Sequence, residues 1–317
     1  MPYPDFCVIK KTGRTYTEST KKSRRATEKK QPGIKTTHIM NELNIKNKVA
    51  VITGGAGFIC SEMARALASK GVRTVIVDIN KESADKVAGD IENEYKTPSI
   101  GLSANVLDKA SLEASKKVIN DKFGNIDILV NGAGGNSPAA TTRVEKMVGD
   151  ENPEDTFFGL KIEGFDRVFD LNFKGTLLPT MVYAADMVKQ RSGAIVNISS
   201  MNSYRPLTKI AAYSAAKAAV NNFTQWLAVH FSKTGVRVNS IAPGFLLGNQ
   251  NRFLLIDEKT GEPTPRARKI LNSTPMERYG TPDELTGTLL YLVSDLSKFV
   301  TGVVIPVDGG FSAYSGV

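Results

Sequence analysis

Val49-Ala50-Val51-Ile52-Thr53-Gly54-Gly55-Ala56-Gly57-Phe58-Ile59-Cys60 is the stretch that decides the fold. Its first four residues form a short apolar run of the kind found in a strand buried on both faces. A glycine-rich turn follows. From Ser61 to Lys70 an Ala-rich run then reads as a helix stopped by Gly71. Glycines between a strand and a helix let backbone N–H groups approach an anion at the helix N-terminus, where the dipole favours negative charge. Gly54, Gly55, Gly57, Phe58 and Ile59 are therefore read as a pyrophosphate cradle.

Outward from this unit, strand and helix alternate. Thr74–Val77, Ile100–Leu102, Ile126–Val130, Ala194–Ile198, Val236–Ile241 and Val303–Val307 are six further apolar runs. Helical patterns cover 82–95, 109–122, about 174–190 and about 211–233. Seven buried strands separated by helices predict an α/β, Rossmann-type doubly wound fold: a seven-stranded parallel sheet with helices on both faces. One domain, 40–317, is expected. Residues 135–165 and 245–280 break the alternation and read as binding loops.

Composition narrows the chemistry. Two histidines, His38 and His230, and two cysteines, Cys7 and Cys60, leave no His-rich or Cys/His metal site of normal ligand count, so no metal is expected. His230 lies in an apolar-periodic helix and reads as a packed or surface residue. The cysteine count offers no disulfide framework and fits a reducing, cytoplasmic setting. No apolar run is long enough for a membrane span, and the first residues lack a signal-peptide pattern. The formal charge is +9, but residues 1–39 hold ten Lys/Arg against three acids. They read as a basic, disordered tail ahead of Met40. The rest of the chain is almost neutral, which argues against a nucleic-acid partner.

Asp78 ends the second strand, 24 residues after Gly54. An acid there accepts hydrogen bonds from an adenosine ribose and repels a 2′-phosphate, so NAD is expected over NADP. Tyr213 and Lys217 stand four apart on a helix and share one face. A cation beside a phenol favours the phenolate, which would let Tyr213 exchange a proton near neutral pH. Ser200 ends the fifth strand, and Asn172 precedes another helix.

These residues carry a family resemblance. Residues 45–312 resemble a short-chain dehydrogenase/reductase through Thr53 to Gly57, Asp78, Asn131-Gly132-Ala133-Gly134, Asn172, Ser199-Ser200, Tyr213/Lys217, Pro243-Gly244 and Val307-Asp308-Gly309-Gly310. The resemblance implies that Tyr213 is the acid/base and that Ser200 hydrogen-bonds the substrate oxygen. It also implies that Lys217 binds the nicotinamide ribose, and that Asn172 holds a water in a proton relay. It adds Asn105, Val106, Asn131 to Gly134, Pro243 and Gly244 to the cofactor site, and it implies a homotetramer. A dinucleotide-binding scaffold without turnover is the competing class. The complete Asn172, Ser200, Tyr213 and Lys217 set argues against it.

A narrower resemblance is to the D-mannonate oxidoreductases of this family. It rests on Gly134-Gly135-Asn136, the run from Ser200 to Lys209, Gln225 to His230, Gln250-Asn251-Arg252, Thr274-Pro275-Met276 and the run from Gly310 to Val317. It implies hydride transfer between D-mannonate and D-fructuronate, with a sugar acid as the small-molecule partner. Another gluconate-type polyol or a 3-ketoacyl substrate is the alternative. A buried carboxylate needs a cation. Arg252 is the first choice, Arg205 and Lys209 are alternates, and Asn136 is a further substrate contact. Several positions depart from the broad family. Phe58 and Cys60 replace two glycines, and the Phe58 ring must point away from the phosphates. Asn105 stands where an Asp is usual, and Gly248 stands where a Thr would hold the nicotinamide carboxamide.

Overall fold

The computed structural model describes residues 43–248, 252–257 and 260–316. The basic segment 1–39, Gln250 and Asn251 lie outside the described residues. Strands β1 (Val49–Thr53), β2 (Arg73–Asp78), β3 (Ser99–Ser103), β4 (Ile128–Asn131), β5 (Gly193–Ile198), β6 (Val236–Pro243) and β7 (Val304–Val307) form one sheet in the order β3-β2-β1-β4-β5-β6-β7. Every pairing is parallel. β1 and β4 are buried at every position, as expected for strands covered on both faces. The expected doubly wound sheet is therefore the observed one.

Two apolar layers flank it. Helices α1 (Phe58–Ala68) and α2 (Lys81–Tyr95) lie on one face with Met63, Leu67 and Ile91 against Ile52, Ile76 and Ile128. Helices α3 (Lys109–Phe123), α5 (Gly175–Gln190) and α6 (Ala211–His230) pack on the other, where Leu112, Ile119, Met187 and Leu227 meet Val51, Leu129 and Ile195. The alternation of side chains along each strand sends successive residues to the two layers.

The two stretches that broke the alternation carry helices of their own. α4 (Ile162–Phe169) ends the first. It runs into a π-helical turn, Asp170–Lys174, before α5. α7 (Arg252–Leu255) and α8 (Pro265–Asn272) lie in the second. There Leu255, Ala267 and Ile270 form a small core with Phe245, Leu247, Ile256 and Tyr279. α9 (Thr286–Val293) returns to the first layer through Leu289 and Leu292. His230 is exposed and stacks on Trp226, the packed-surface role its helix pattern suggested. Among the described residues, no helix is long and apolar enough to cross a membrane.

Candidate active site

The strand order reverses between β1 and β4, and the helices leaving them go to opposite faces. This opens a crevice at the carboxyl ends of the strands. A cleft of about 430 Å³ occupies it, lined by Gly54, Gly57, Phe58, Asp78, Asn105 and Gly134 together with Ile59, Val106, Gly132 and Ala133. The glycine spacing thus converges with the acid at the end of β2, as read from sequence.

Each glycine has a physical reason. Gly54 has φ +60, and a Cβ there would lie 2.9 Å from Ala133 Cα. A Cβ at Gly55 would lie 2.7 Å from Ile52 O. Gly57 caps α1 without a side-chain hydrogen bond, so the first N–H groups of the helix keep room for an outside acceptor. Asp78 is tied to this turn: its Oδ2 accepts from Ala56 N at 3.2 Å and its Oδ1 from Asn80 N at 3.1 Å. Thr53 Oγ1 accepts from Gly132 N at 3.1 Å, which joins the β1 turn to the β4 turn. Asn105 uses its amide oxygen locally, accepting from Leu107 N at 2.9 Å. A cradle built from backbone with one carboxylate at its far end fits a dinucleotide.

The two bulky departures have found space. A Cβ at Gly132 would fall on the Cys60 sulfur, so Cys60 fills the gap between helix and strand. Burial pushes its thiol up to about 12, against the pull of Lys217. Cys60 is a packing thiol, not a reactive one. The Phe58 ring turns onto Gly248, in the segment after β6.

On the other side of the cleft, α6 carries Tyr213 and Lys217 on adjoining turns. Lys217 is 4% exposed. Its Nζ donates to Ile198 O at 2.7 Å and lies 5.6 Å from the Tyr213 ring centroid. A Cβ at Gly134 would lie 2.6 Å from Asn172 Oδ1 and 3.3 Å from Lys217 Nζ, so these residues converge on one spot. Ser200 Oγ accepts from Asn202 N at 3.2 Å and bonds the Tyr213 oxygen with its own hydroxyl. Burial lowers the Lys217 ammonium to about 8. Burial also raises the Tyr213 phenol, while a hydrogen bond with Ser200 pulls it back. The reading that Lys217 lowers the phenol is corrected here: desolvation is the larger effect, and the ammonium sits over the ring face.

Asn172 lies in the π-helical turn, a common device at functional sites. Its Nδ2 donates to Gly135 O and Val168 O, each at 2.7 Å, and its Oδ1 accepts from Gly135 N at 3.2 Å. One amide hydrogen and the amide oxygen thus hold Gly135, the other hydrogen bonds back to Val168 O in α4, and only oxygen sites remain for a water. Asn131 points away from the cleft: its Nδ2 donates to Thr180 Oγ1 and Asn197 Oδ1, each at 2.9 Å. It braces β4 against β5. Pro243 ends β6, and a Cβ at Gly244 would lie 2.5 Å from Asp308 Cα.

The substrate-side expectations fare unevenly. Arg205 Nε donates to Ser312 O at 3.2 Å, which commits it to the C-terminal segment. Lys209 lines a separate cavity of about 480 Å³ beside Ser214 and Ala218, a face of α6 that carries neither Tyr213 nor Lys217. Asn136 is exposed and donates to Thr141 Oγ1 at 3.0 Å. Arg252 is exposed at the start of α7 and makes no ion pair among the described residues. Sequence reasoning missed Asn221. Its Nδ2 donates to Ser203 Oγ at 2.7 Å, and Ser203 in turn bonds Ser200 O. Its position one turn past Lys217 was the available signal.

The family model described as enoyl-(acyl carrier protein) reductase matches residues 55–312. An uncharacterized oxidoreductase of Haemophilus influenzae is 51% identical over 284 residues, covering 89% of this chain and 99% of its own. The uncharacterized oxidoreductase UxuB of Bacillus subtilis is 49% identical over 275 residues, covering 86% and 98%. A solved structure of a Haemophilus influenza protein, provisionally named a D-mannonate oxidoreductase and holding NAD, superposes with a TM-score of 0.83. It is 52% identical and covers 86% of this chain and 98% of its own.

Proposed function

We propose a reaction for this chain from one premise: it belongs to the short-chain dehydrogenase/reductase family. It is an NAD-dependent oxidoreductase of that family. In our reading it interconverts a hexonate and a keto-hexuronate, most specifically D-mannonate and D-fructuronate. The observation that carries this is the 52% identical NAD-bound relative named for that reaction, combined with Asn172 and Lys217 converging on Gly134, Tyr213 beside Lys217 and Ser200 hydrogen-bonded to Tyr213.

Bound nicotinamide supplies the hydride donor or acceptor. The chain's own residues do the rest. Gly54, Gly57 and the start of α1 hold the pyrophosphate on backbone N–H groups. Asp78 accepts from the adenosine ribose. Lys217 has donors left after its bond to Ile198 O, and these hold the nicotinamide ribose. Ser200, oriented by Asn202 N, donates to the carbonyl oxygen of the keto acid. The half-buried Tyr213 phenol stays protonated at neutral pH and gives its proton to that oxygen as the alcohol forms. Oxidation runs the same contacts backwards and needs the phenolate, so it gains as pH rises.

Arg252 meets the substrate carboxylate in this reading, because it is exposed with no ion pair among the described residues, whereas Arg205 Nε already bonds Ser312 O and Lys209 lines another cavity. The exposed Met181 on α5 and the exposed Trp226 and Val229 on α6 offer an apolar surface for homotetramer assembly. The test is NADH oxidation with D-fructuronate, a neutral keto-sugar of equal length, a keto-gluconate and a 3-oxoacyl thioester. D-Fructuronate is expected to give the highest kcat/KM. A thioester or keto-gluconate that outruns it would replace this substrate with the alternative.

A further inference from the structure

We propose that Phe58 and Gly248 form a size-matched pair that ties the glycine turn to the segment after β6, and that Phe58 thereby acts as a positioning residue for the bound dinucleotide. The inference rests on the cofactor reading above. Gly248 does not have a positive φ, so its backbone does not require glycine. Space does. A Cβ there would lie 2.6 Å from Phe58 Cε1 and 2.7 Å from Cε2, and closer still to Cζ. The ring therefore lies directly against the Gly248 backbone. Phe58 is the first residue of α1, immediately after the cap of the helix that faces the pyrophosphate, and it lines the cleft itself. Its other contacts are with the core layer beneath α1. One side chain thus touches the cradle, the core and the loop on the nicotinamide side of the cleft.

The two residues explain each other. A ring at 58 needs a glycine at 248, and a side chain at 248 needs a small residue at 58. A hydroxyl at 248 is then absent, and ring-to-backbone packing is what ties this part of the segment to the cradle. Such packing is worth little per atom but is lost all at once when the ring goes.

The test is a double-mutant cycle with Phe58→Gly, Gly248→Thr and both together. Two readouts are followed: the melting temperature without cofactor and NADH affinity by fluorescence titration. Gly248→Thr alone should lower the melting temperature and weaken NADH binding at least tenfold. Phe58→Gly alone should weaken NADH binding roughly threefold to tenfold. The double variant should bind within about threefold of wild type, well above the product of the two single losses. Independent, multiplying losses in NADH affinity would overturn the proposal. Coupling in the melting temperature without coupling in NADH affinity would reduce the pair to packing and overturn the positioning claim. Wild-type protein that binds no NADH would instead break the cofactor reading, and the melting cycle would still report whether the pair exists.

Discussion

The turn after β1 and the segment after β6 both leave the carboxyl end of the sheet and meet where the Phe58 ring lies on Gly248, yet they are built on opposite plans. The first is a cradle made of backbone. Gly54 and Gly55 are each fixed by a neighbour less than 3 Å from where a Cβ would stand, and Asp78 is tied to Ala56 N. The second is long, carries its own small core around Leu255 and Ile270, and presents side chains such as Arg252. Backbone recognition tolerates almost no substitution and serves any dinucleotide. Side-chain recognition on a long loop can be rewritten without disturbing the sheet. The proposed proton donor, Tyr213, sits between them on α6, beside Ser200 at the end of β5.

That division predicts which parameter each substitution moves. The largest effect belongs between the two regions. Tyr213→Phe removes the proton donor and leaves the ring to pack beside Lys217. Turnover should fall at least about 100-fold, while NADH affinity by fluorescence titration changes little. Turnover within threefold of wild type would mean that another group moves the proton, and the α6 site would lose its central role.

The next largest effect belongs to the loop. Arg252→Met should reduce kcat/KM for the hexuronate by roughly 2–4 kcal/mol, the scale of removing one partner of a desolvated charge pair. The loss should fall mainly in KM. NADH affinity should stay near wild type, and discrimination against the neutral keto-sugar should shrink. If Arg205→Met does this and Arg252→Met does not, the Arg205 bond to Ser312 O yields to substrate and the carboxylate lies nearer Ser200.

These two regions were also unequally legible in the sequence. The strands and the cradle follow from apolar runs and glycine spacing, because a parallel sheet buries every residue and a close backbone approach admits only glycine. Helix α1 begins at Phe58, three residues before the apolar-periodic run at Ser61, because capping at Gly57 adds a turn that hydrophobic period does not show. Tyr213 and Lys217 were visible through helical spacing. The direction of the Tyr213 shift was not, since it depends on burial, a three-dimensional quantity. The family resemblance put Asn131 in the cofactor site. Its side chain instead braces two strands, a choice made by Thr180 and Asn197 far along the chain. Lys209 sat in the right stretch of sequence but faces another cavity. Position along the chain does not fix which side of a helix a preceding loop will reach.

A smaller effect tests the backbone-built side. The preference for NADH over NADPH should depend on Asp78, whose carboxylate would repel a 2′-phosphate. Asp78→Ala should narrow the ratio of kcat/KM for the two cofactors by about tenfold, roughly 1.4 kcal/mol, mostly by improving NADPH. The carboxylate also accepts from Ala56 N, so NADH should weaken somewhat as the turn loosens. A wild-type protein that favours NADPH would show that the cradle does not exclude the phosphate, and the contrast between the two regions would fail on its better-read side.

The smallest effect concerns stability. Lys217 is buried, and burial lowers its ammonium from 10.5 to about 8. Unfolded chain therefore binds more protons than folded chain between about pH 8 and pH 10.5, and stability contributed by this group rises with pH through that window. Below about pH 8 the full penalty of holding a buried charge applies, on the order of 3 kcal/mol. The bond from Nζ to Ile198 O offsets part of it, by about 1.5–3 kcal/mol for a charged donor. Lys217→Met removes both. The variant should lose turnover, yet without cofactor at pH 7 it should be more stable than wild type by about 1 kcal/mol, a rise of roughly 2–4 °C in melting temperature. The advantage should shrink as pH climbs from 8 through 10.5, because wild-type Lys217 is neutral in both states only above that range. A variant that melts below wild type at pH 7 would show that the carbonyl bond outweighs desolvation. Lys217 would then belong with Asp78 and the glycines, as a part that steadies the fold while it binds. A variant that melts above it would place Lys217 with the chemistry, held at a standing cost because the reaction needs a cation in a dry place.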